Sequence, residues 1–165
     1  LVKAAHDAGA RYVLCADQDD VWHPEKIARQ LEMMLQAEAT WGSQTPQLVH
    51  SDLAVVDAKL KMIHPSFMDY EGLAHPQYLP LKTLLVQNFV TGCTTMVNRA
   101  LLDLVVPIPQ EAAMHDWWLA LCAAIAGEIH YLPQATVSYR QHGRNCVGAR
   151  NTQLHLGRLL ANLPA

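Results

Sequence analysis

Arg11-Tyr12-Val13-Leu14-Cys15-Ala16 is a short apolar run that passes without a break into Asp17-Gln18-Asp19-Asp20. The first stretch reads as a short buried strand. The second sets three carboxylates at that strand's carboxyl end, the edge where loops of open α/β sheets gather into a ligand crevice. Downstream, Val21-Trp22-His23 leads to Pro24, which suits the first turn of a helix because its missing N–H goes unused there. Ile27, Leu31, Met34 and Leu35 follow at helical spacing and mark the face expected to be buried. Upstream, residues 1–8 read as the end of a helix, closed by Gly9 in a left-handed conformation.

The alternation continues outward. Residues 47–57 read as a second strand, with 60–63 returning beside it through the Asp57-Ala58-Lys59 turn. Residues 64–80, rich in Pro, His, Tyr and Gly, read as a long surface loop. A short helix is predicted over 81–86, a strand over 91–97, and a helix over 99–106 ended by Pro107 and Pro109. An apolar helix spans 115–126 and stops at Gly127. Strands follow over 128–132 and 136–139, and leucine spacing predicts a helix over 152–163. Interleaved strands and helices without a repeat point to an α/β domain rather than a bundle or sandwich.

A chain of 165 residues with 51% hydrophobic and 16% charged content can bury one substantial core. The net charge of -3 gives no electrostatic basis for a nucleic-acid partner or an anionic membrane surface. Cys15, Cys93, Cys122 and Cys146 form no C-x-x-C pair, which argues against a zinc knuckle or redox motif and for reduced thiols, with a disulfide left open. The apolar run over 117–127 falls well short of the ~20 residues that span a bilayer. No signal peptide is recognisable, and the missing initiator Met suggests a start inside a longer protein.

Chemistry concentrates in the acidic cluster. Three carboxylates within four residues repel one another, and a cation offsets that cost. All-oxygen ligands suit Mn²⁺ or Mg²⁺, which complete their coordination with water and substrate phosphate. The competing reading is that Asp19 or Asp20 caps the helix starting near Pro24.

The segment from Tyr12 to Ile27, with its strand, D-Q-D-D, Trp22, Pro24 and Lys26 in order, resembles the D-x-D region of the large inverting family two glycosyltransferases, particularly bacterial rhamnosyltransferase-like members. The resemblance continues through His50-Ser51-Asp52, Thr91-Gly92-Cys93, His115-Asp116-Trp117-Trp118 and Tyr139-Arg140-Gln141-His142-Gly143. It implies an α/β fold of the GT-A type and a nucleotide-diphosphate sugar donor. The implied acceptor is a saccharide or lipid-linked saccharide in bacterial surface-polysaccharide assembly. By position, Asp17 lies near the donor's ribose and Asp19 binds the Mn²⁺ or Mg²⁺, with Asp20 a neighbour available to donor sugar or water. Asp116 takes the place of the general base that an acceptor hydroxyl needs; its alternative is a helix cap. His142 stands to complete the metal shell or donate to a diphosphate oxygen, or else is a solvated loop residue. Ser51 and Asp52 end or interrupt a strand and shape the donor-sugar pocket, or form a turn. Gly92 admits backbone close to a ligand, or marks a bulge. Trp117 and Trp118 point roughly 100° apart on a helix, so one is expected in the core and the other against a sugar.

The chain lacks the Q-x-x-R-W motif of processive synthases, which favours single-sugar transfer. It also begins just before the D-x-D strand, without the first β-α-β units that hold the nucleotide base. Residues 1–165 are therefore expected to be the carboxyl-terminal portion of one catalytic domain. As an isolated fragment it would be inactive and self-associating through an unpaired sheet edge. The expected location is cytoplasmic, peripheral to the inner face of the membrane. Two other classes stay open: another metal-dependent phosphate-handling enzyme, and a non-catalytic binding module of the same fold.

Overall fold

The computed structural model describes residues 1–141. The helix predicted over 152–163, Cys146 and His142 lie outside them. Helix α1 (Val2–Asp7) ends at Gly9, whose φ of 76° is the left-handed geometry a Cβ disfavours. Strand β1 (Tyr12–Leu14) follows, then a two-residue strand β2 (Val21–Trp22) and helix α2 (Lys26–Trp41). Strand β3 (Gln47–Val56) is buried along its whole length, and β4 (Met62–His64) returns beside its end. The expected surface loop carries one short helix, α3 (Phe67–Glu71), and the short helix expected after it is α4 (Pro80–Leu84). Strand β5 (Thr95–Asn98), helices α5 (Arg99–Val105) and α6 (His115–Ala126), and strand β6 (Glu128–Arg140) complete the described chain.

The mixed sheet has the order β1-β5-β3-β6-β2, with β4 on β3. Among the described residues only the β3/β6 pair is parallel; β1/β5, β3/β5, β2/β6 and β3/β4 are antiparallel. On one face, α5 and α6 close a core of Leu48, Val97, Leu101, Leu102, Leu119, Ala120 and Ala123. Each fully buried leucine there stabilises the fold by about 1.5–3 kcal/mol. On the other face, Met34 of α2 packs on Val49 and Met96. Buried Asn98 caps α5 by accepting from Leu101 N–H at 3.1 Å, and the same oxygen accepts from Gln47 N–H at 2.9 Å. One amide side chain thereby registers β3, β5 and α5 together.

Several expectations change. Helix α2 is rolled by about one residue, roughly 100°, from the expected face. Lys26, Gln30, Met34 and Ala37 are buried, whereas Ile27 is 52% and Leu35 46% exposed. Hydrophobic periodicity turned Lys26 and Gln30 outward, but inside they satisfy each other. Lys26 Nζ donates to Gln30 Oε1 at 2.9 Å and lies 5.0 Å from the centre of the Trp22 ring, while Gln30 Nε2 donates to the Thr94 carbonyl. Buried polar groups with partners are tolerated where unpaired ones are not.

The strand predicted over 91–97 begins as a single 3₁₀ turn, Gly92–Thr94, and only then extends as β5. The two strands predicted after Gly127 are one. Leu132 pairs with Ser51 and Ala135 with Asp52, so Pro133 and Gln134 bulge out into solvent. A proline that cannot donate to a ladder is accommodated at such a bulge. Ser51 and Asp52 accordingly sit inside β3 at a register shift rather than ending it.

Gly127 joins α6 to β6 against the chain entering β3. A Cβ there would lie 1.8 Å from the Pro46 carbonyl oxygen, which accepts the Glu128 N–H at 3.0 Å. Gly127→Ala is expected to destabilise the fold by about 1–3 kcal/mol, the range for overpacking, read as a lower urea midpoint at unchanged slope. Lys26 gives a pH signature. Burial lowers its ammonium from 10.5 to about 8, so its contribution to stability is lost as pH falls through 8 and is restored towards 10.5. Urea titrations across that window should show wild type gaining stability relative to Lys26→Met as pH rises.

Candidate active site

Antiparallel pairing of β1 with β5 (Leu14 opposite Met96) brings the residues after β1 to the same end of the sheet as those before β5. The D-Q-D-D segment and the Gly92–Thr94 turn therefore meet. Gln18 and Asp19 occupy a turn, and a turn brings its first and fourth residues together. Asp17 and Asp20 thus face one crevice with Cys93. One ligand atom from each of the three lies within 4.8 Å of the others. Asp19 is half-buried in the turn and is not in that set.

The short β2 fastens this loop to β6, with Val21 opposite Ser138 and Trp22 opposite Val137. Asp20 Oδ1 accepts the Arg140 N–H at 3.0 Å. Its Oδ2 is buried and accepts no hydrogen bond from nitrogen or oxygen among the described residues. Burial pushes the Asp20 carboxyl up, hydrogen bonds from the Arg140 N–H and the Cys93 thiol oppose this, and the charges of Asp17 and Asp19 add to the rise. Two carboxylates and a thiol at one point are a donor set that could hold a divalent cation, with Asp17, Asp20 and Cys93 as its ligands.

Asp116 lies in the first turn of α6, 4% exposed. Its Oδ2 accepts the Gly92 N–H at 2.9 Å, and its Oδ1 accepts the Trp117 N–H at 2.7 Å. Residue Met114, not Asp116, is the cap of α6. Burial raises the Asp116 carboxyl above the ordinary aspartate range, with His115 and the backbone donors opposing. Space at Gly92 is tight: a Cβ would stand 3.0 Å from His115 Nε2 and 3.4 Å from Asp116 Oδ2, so those side chains would have to shift. Asp116 and the D-Q-D-D loop share this crevice. Burial, then the charges of Asp116 and Asp17, raise the Cys15 thiol between them.

Ser51 and Asp52 each tie parts of the fold together by hydrogen bonds. Ser51 Oγ and Thr136 Oγ1 share a hydrogen bond of 2.6 Å that cross-links β3 and β6. Asp52 collects the N–H groups of Leu53, Phe67 and Met68 on Oδ1 and the Ser66 hydroxyl on Oδ2, pinning the start of α3 to the sheet. Trp117 and Trp118 do not divide between core and surface. Both are half-buried against the main core, and Trp117 Nε1 donates to the Leu84 carbonyl at 2.7 Å. Sequence reasoning assigned no role to Cys93 or Lys26; their signal was only their place within Thr91-Gly92-Cys93 and the run from Tyr12 to Ile27. A separate cleft of about 770 Å³, lined by Trp41, Asp69, His75, His130 and Tyr131 among others, opens beside the first half of β6 and contains none of the crevice carboxylates.

Asp52 removal leaves buried α3 donors without partners, at a cost of about 1–3 kcal/mol for each group left unsatisfied. Asp52→Ala is therefore expected to lower the melting temperature and open the 67–71 segment to hydrogen exchange before the rest. Unchanged exchange there would mean α3 is held by its own packing.

Comparison with known proteins follows the same outline. No family model matches the chain. Over 97 residues, 58% of its length, it is 29% identical to a Bacillus subtilis (strain 168) protein described as "Putative teichuronic acid biosynthesis glycosyltransferase TuaG". The chain spans about 37% of that relative's length. The mixed α/β architecture is compatible with a glycosyltransferase fold, and the similarity supports a glycosyltransferase.

Proposed function

We propose that this chain belongs to the catalytic domain of an inverting, GT-A-type glycosyltransferase that moves one sugar from a nucleotide-diphosphate donor onto an acceptor hydroxyl. The observation that carries the reading is the convergence of a buried aspartate, Asp116, with the Asp17 and Asp20 carboxylates at one sheet edge. Similarity to a protein described as a teichuronic acid biosynthesis glycosyltransferase supports surface-polysaccharide assembly as the setting. The acceptor is then a saccharide or lipid-linked saccharide, met at the cytoplasmic side of the membrane. Among the described residues no helix is long and apolar enough to cross a membrane.

Asp116 serves as the base. A hydroxyl is a weak nucleophile until its proton is accepted, and a buried carboxylate with a raised pKa is a stronger proton acceptor than a solvated one. Gly92 N–H holds Oδ2, and the Trp117 N–H holds Oδ1, so the carboxylate is oriented before substrate arrives. The proton moves from the acceptor oxygen to Asp116 as that oxygen attacks the anomeric carbon and the bond to the diphosphate breaks. The carboxylates of this edge would hold a Mn²⁺ or Mg²⁺, which would supply positive charge for a departing diphosphate. Asp17, Asp19 and Asp20 line the donor side, with His142 proposed to reach the same cation or diphosphate. Ser51, Asp52 and Gly92 support the donor pocket from the sheet.

Asp116→Asn keeps the shape and one acceptor oxygen but removes the base. Turnover with a nucleotide-diphosphate sugar should fall by roughly 100-fold or more, with donor affinity little changed. Equal loss of affinity and melting temperature would assign Asp116 to structure. Since its carboxyl titrates above 3.8, activity should rise with pH along an acidic limb displaced upward from the ordinary aspartate range. A limb at or below that range would remove Asp116 from the chemistry.

A further inference from the structure

Trp41 ends α2 with 53% of its surface exposed and lines the cleft beside the first half of β6. Two imidazoles, His75 and His130, line the same space, and each is held by a buried side chain beneath it. His50, 1% exposed, meets His75 Nδ1 through its Nε2 at 3.1 Å, and fully buried Gln47 meets His130 Nε2 through its Oε1 at 2.7 Å. His75 also stacks on Tyr131, with ring centroids 5.4 Å apart. The second nitrogen of each cleft imidazole, His75 Nε2 and His130 Nδ1, stays outside the core. Holding these rings leaves His50 Nδ1 and Gln47 Nε2 buried with no partner among the described residues. Such orphaned groups carry a desolvation cost that a merely polar wall would not require.

We propose that this cleft is a second ligand site, one that binds a short neutral saccharide with a sugar ring on the Trp41 indole and its hydroxyls bonded to His75, His130, Asp69, Gln36 and Gln77. A hydroxyl both donates and accepts, so it meets either tautomer of a neutral imidazole, either end of an amide, and a carboxylate. The apolar C–H face of a sugar ring covers an indole without stripping its hydroxyls of partners. Anionic ligands are disfavoured, because the lining holds no lysine or arginine and its one carboxylate is Asp69. Burial lowers the His75 and His130 imidazoles, with Glu128 opposing at His130, so they add no positive charge at neutral pH. A metal is disfavoured too: among the described residues no three His, Cys, Asp or Glu ligand atoms gather there. The cleft's volume of about 770 Å³ falls within the roughly 300–1,000 Å³ of small-molecule sites.

The cleft lies outside the transfer crevice and does not depend on the transferase reading. It is open because β2 pairs with β6 only at Val137 and Ser138, leaving that side of Glu128–Leu132 without a strand among the described residues. Tyr131 pairs with His50, and Ser138, next to the Val137 that packs on Cys93, pairs with Ala54. At ~3.3 Å per residue, the advance along β3 from His50 to Ala54 separates cleft from crevice by about 13 Å.

Isothermal titration of the 165-residue chain with maltotetraose, cellotetraose and chitotetraose, without metal or nucleotide, tests the site, with tetragalacturonate as the acidic counterpart. At least one neutral tetrasaccharide is expected to bind one-to-one, and tetragalacturonate more weakly. Trp41→Ala, at an exposed position, should weaken binding roughly 10-fold or more, and His130→Ala should weaken it as well. Asp17→Ala and Asp116→Asn, in the crevice, should leave it unchanged. In ¹⁵N-labelled protein the Trp41 indole N–H resonance should shift on binding. Failure of all three neutral sugars to bind, affinity that survives Trp41→Ala, or affinity lost with Asp17→Ala overturns the proposal, as does preference for tetragalacturonate. Saccharide binding at the cleft without sugar transfer from any nucleotide-diphosphate donor would leave this site assigned and count against the transferase reading. Transfer without saccharide binding at the cleft would do the reverse.

Discussion

The hydrogen bond from Gly92 N–H to Asp116 Oδ2, 2.9 Å long and buried, is the contact on which the crevice depends. It joins the turn before β5 to the first turn of α6, two segments that approach only because β5 runs antiparallel between β1 and β3. Gly92 and Cys93 are consecutive, so one residue of the turn holds Asp116 and the next meets Asp17 and Asp20. Any side chain at position 92 would press on His115 and Asp116. The proposed base and the proposed donor side are thereby held in register by a single 3₁₀ turn.

Beneath the turn, polar groups are buried in pairs. Gln30 reaches the Thr94 carbonyl from α2, and Lys26 lies between Gln30, the Trp22 ring and Thr136, whose hydroxyl is 3.5 Å from Nζ. Trp22 belongs to the loop that carries the acidic cluster, and Thr136 to β6. A rigid connection thus runs from the helix after the D-Q-D-D loop to the strands on both sides of it. Burying an ammonium carries a desolvation cost, which accounts for the fall of Lys26 to about 8. The ring face and two side-chain acceptors offset part of it. Placing that cation under a crevice lined by carboxylates also opposes, weakly, the negative field that raises the Cys93 thiol.

The acid cluster, the α/β alternation, the helix over His115–Ala126 and the Asp57 turn between β3 and β4 were legible because each is local. Apolar spacing, Gly and Pro positions and runs of like charge act within a few residues. The face of α2 was not legible. Periodicity ranks residues by polarity, and Lys26 and Gln30 are inside because of partners at positions 22, 94 and 136, far away in sequence for all but Trp22. The bulge at Pro133 and the burial of Ser51 and Asp52 escaped for the same reason, since register with a distant strand sets them.

By itself the sequence determined the class of the fold, the strand that ends in carboxylates, and the resemblance that placed Asp116 as a base. Only the tertiary structure decided which carboxylates share a point in space. Adjacent aspartates look equivalent in a linear reading, but a turn at Gln18 and Asp19 brings Asp17 to Asp20 and leaves Asp19 aside. Cys93 joins them because antiparallel pairing folds residues nearly eighty positions apart onto one edge. Spacing along a chain describes neighbours within a turn or two; the convergence of charge, thiol and buried aspartate is a property of strand order and register.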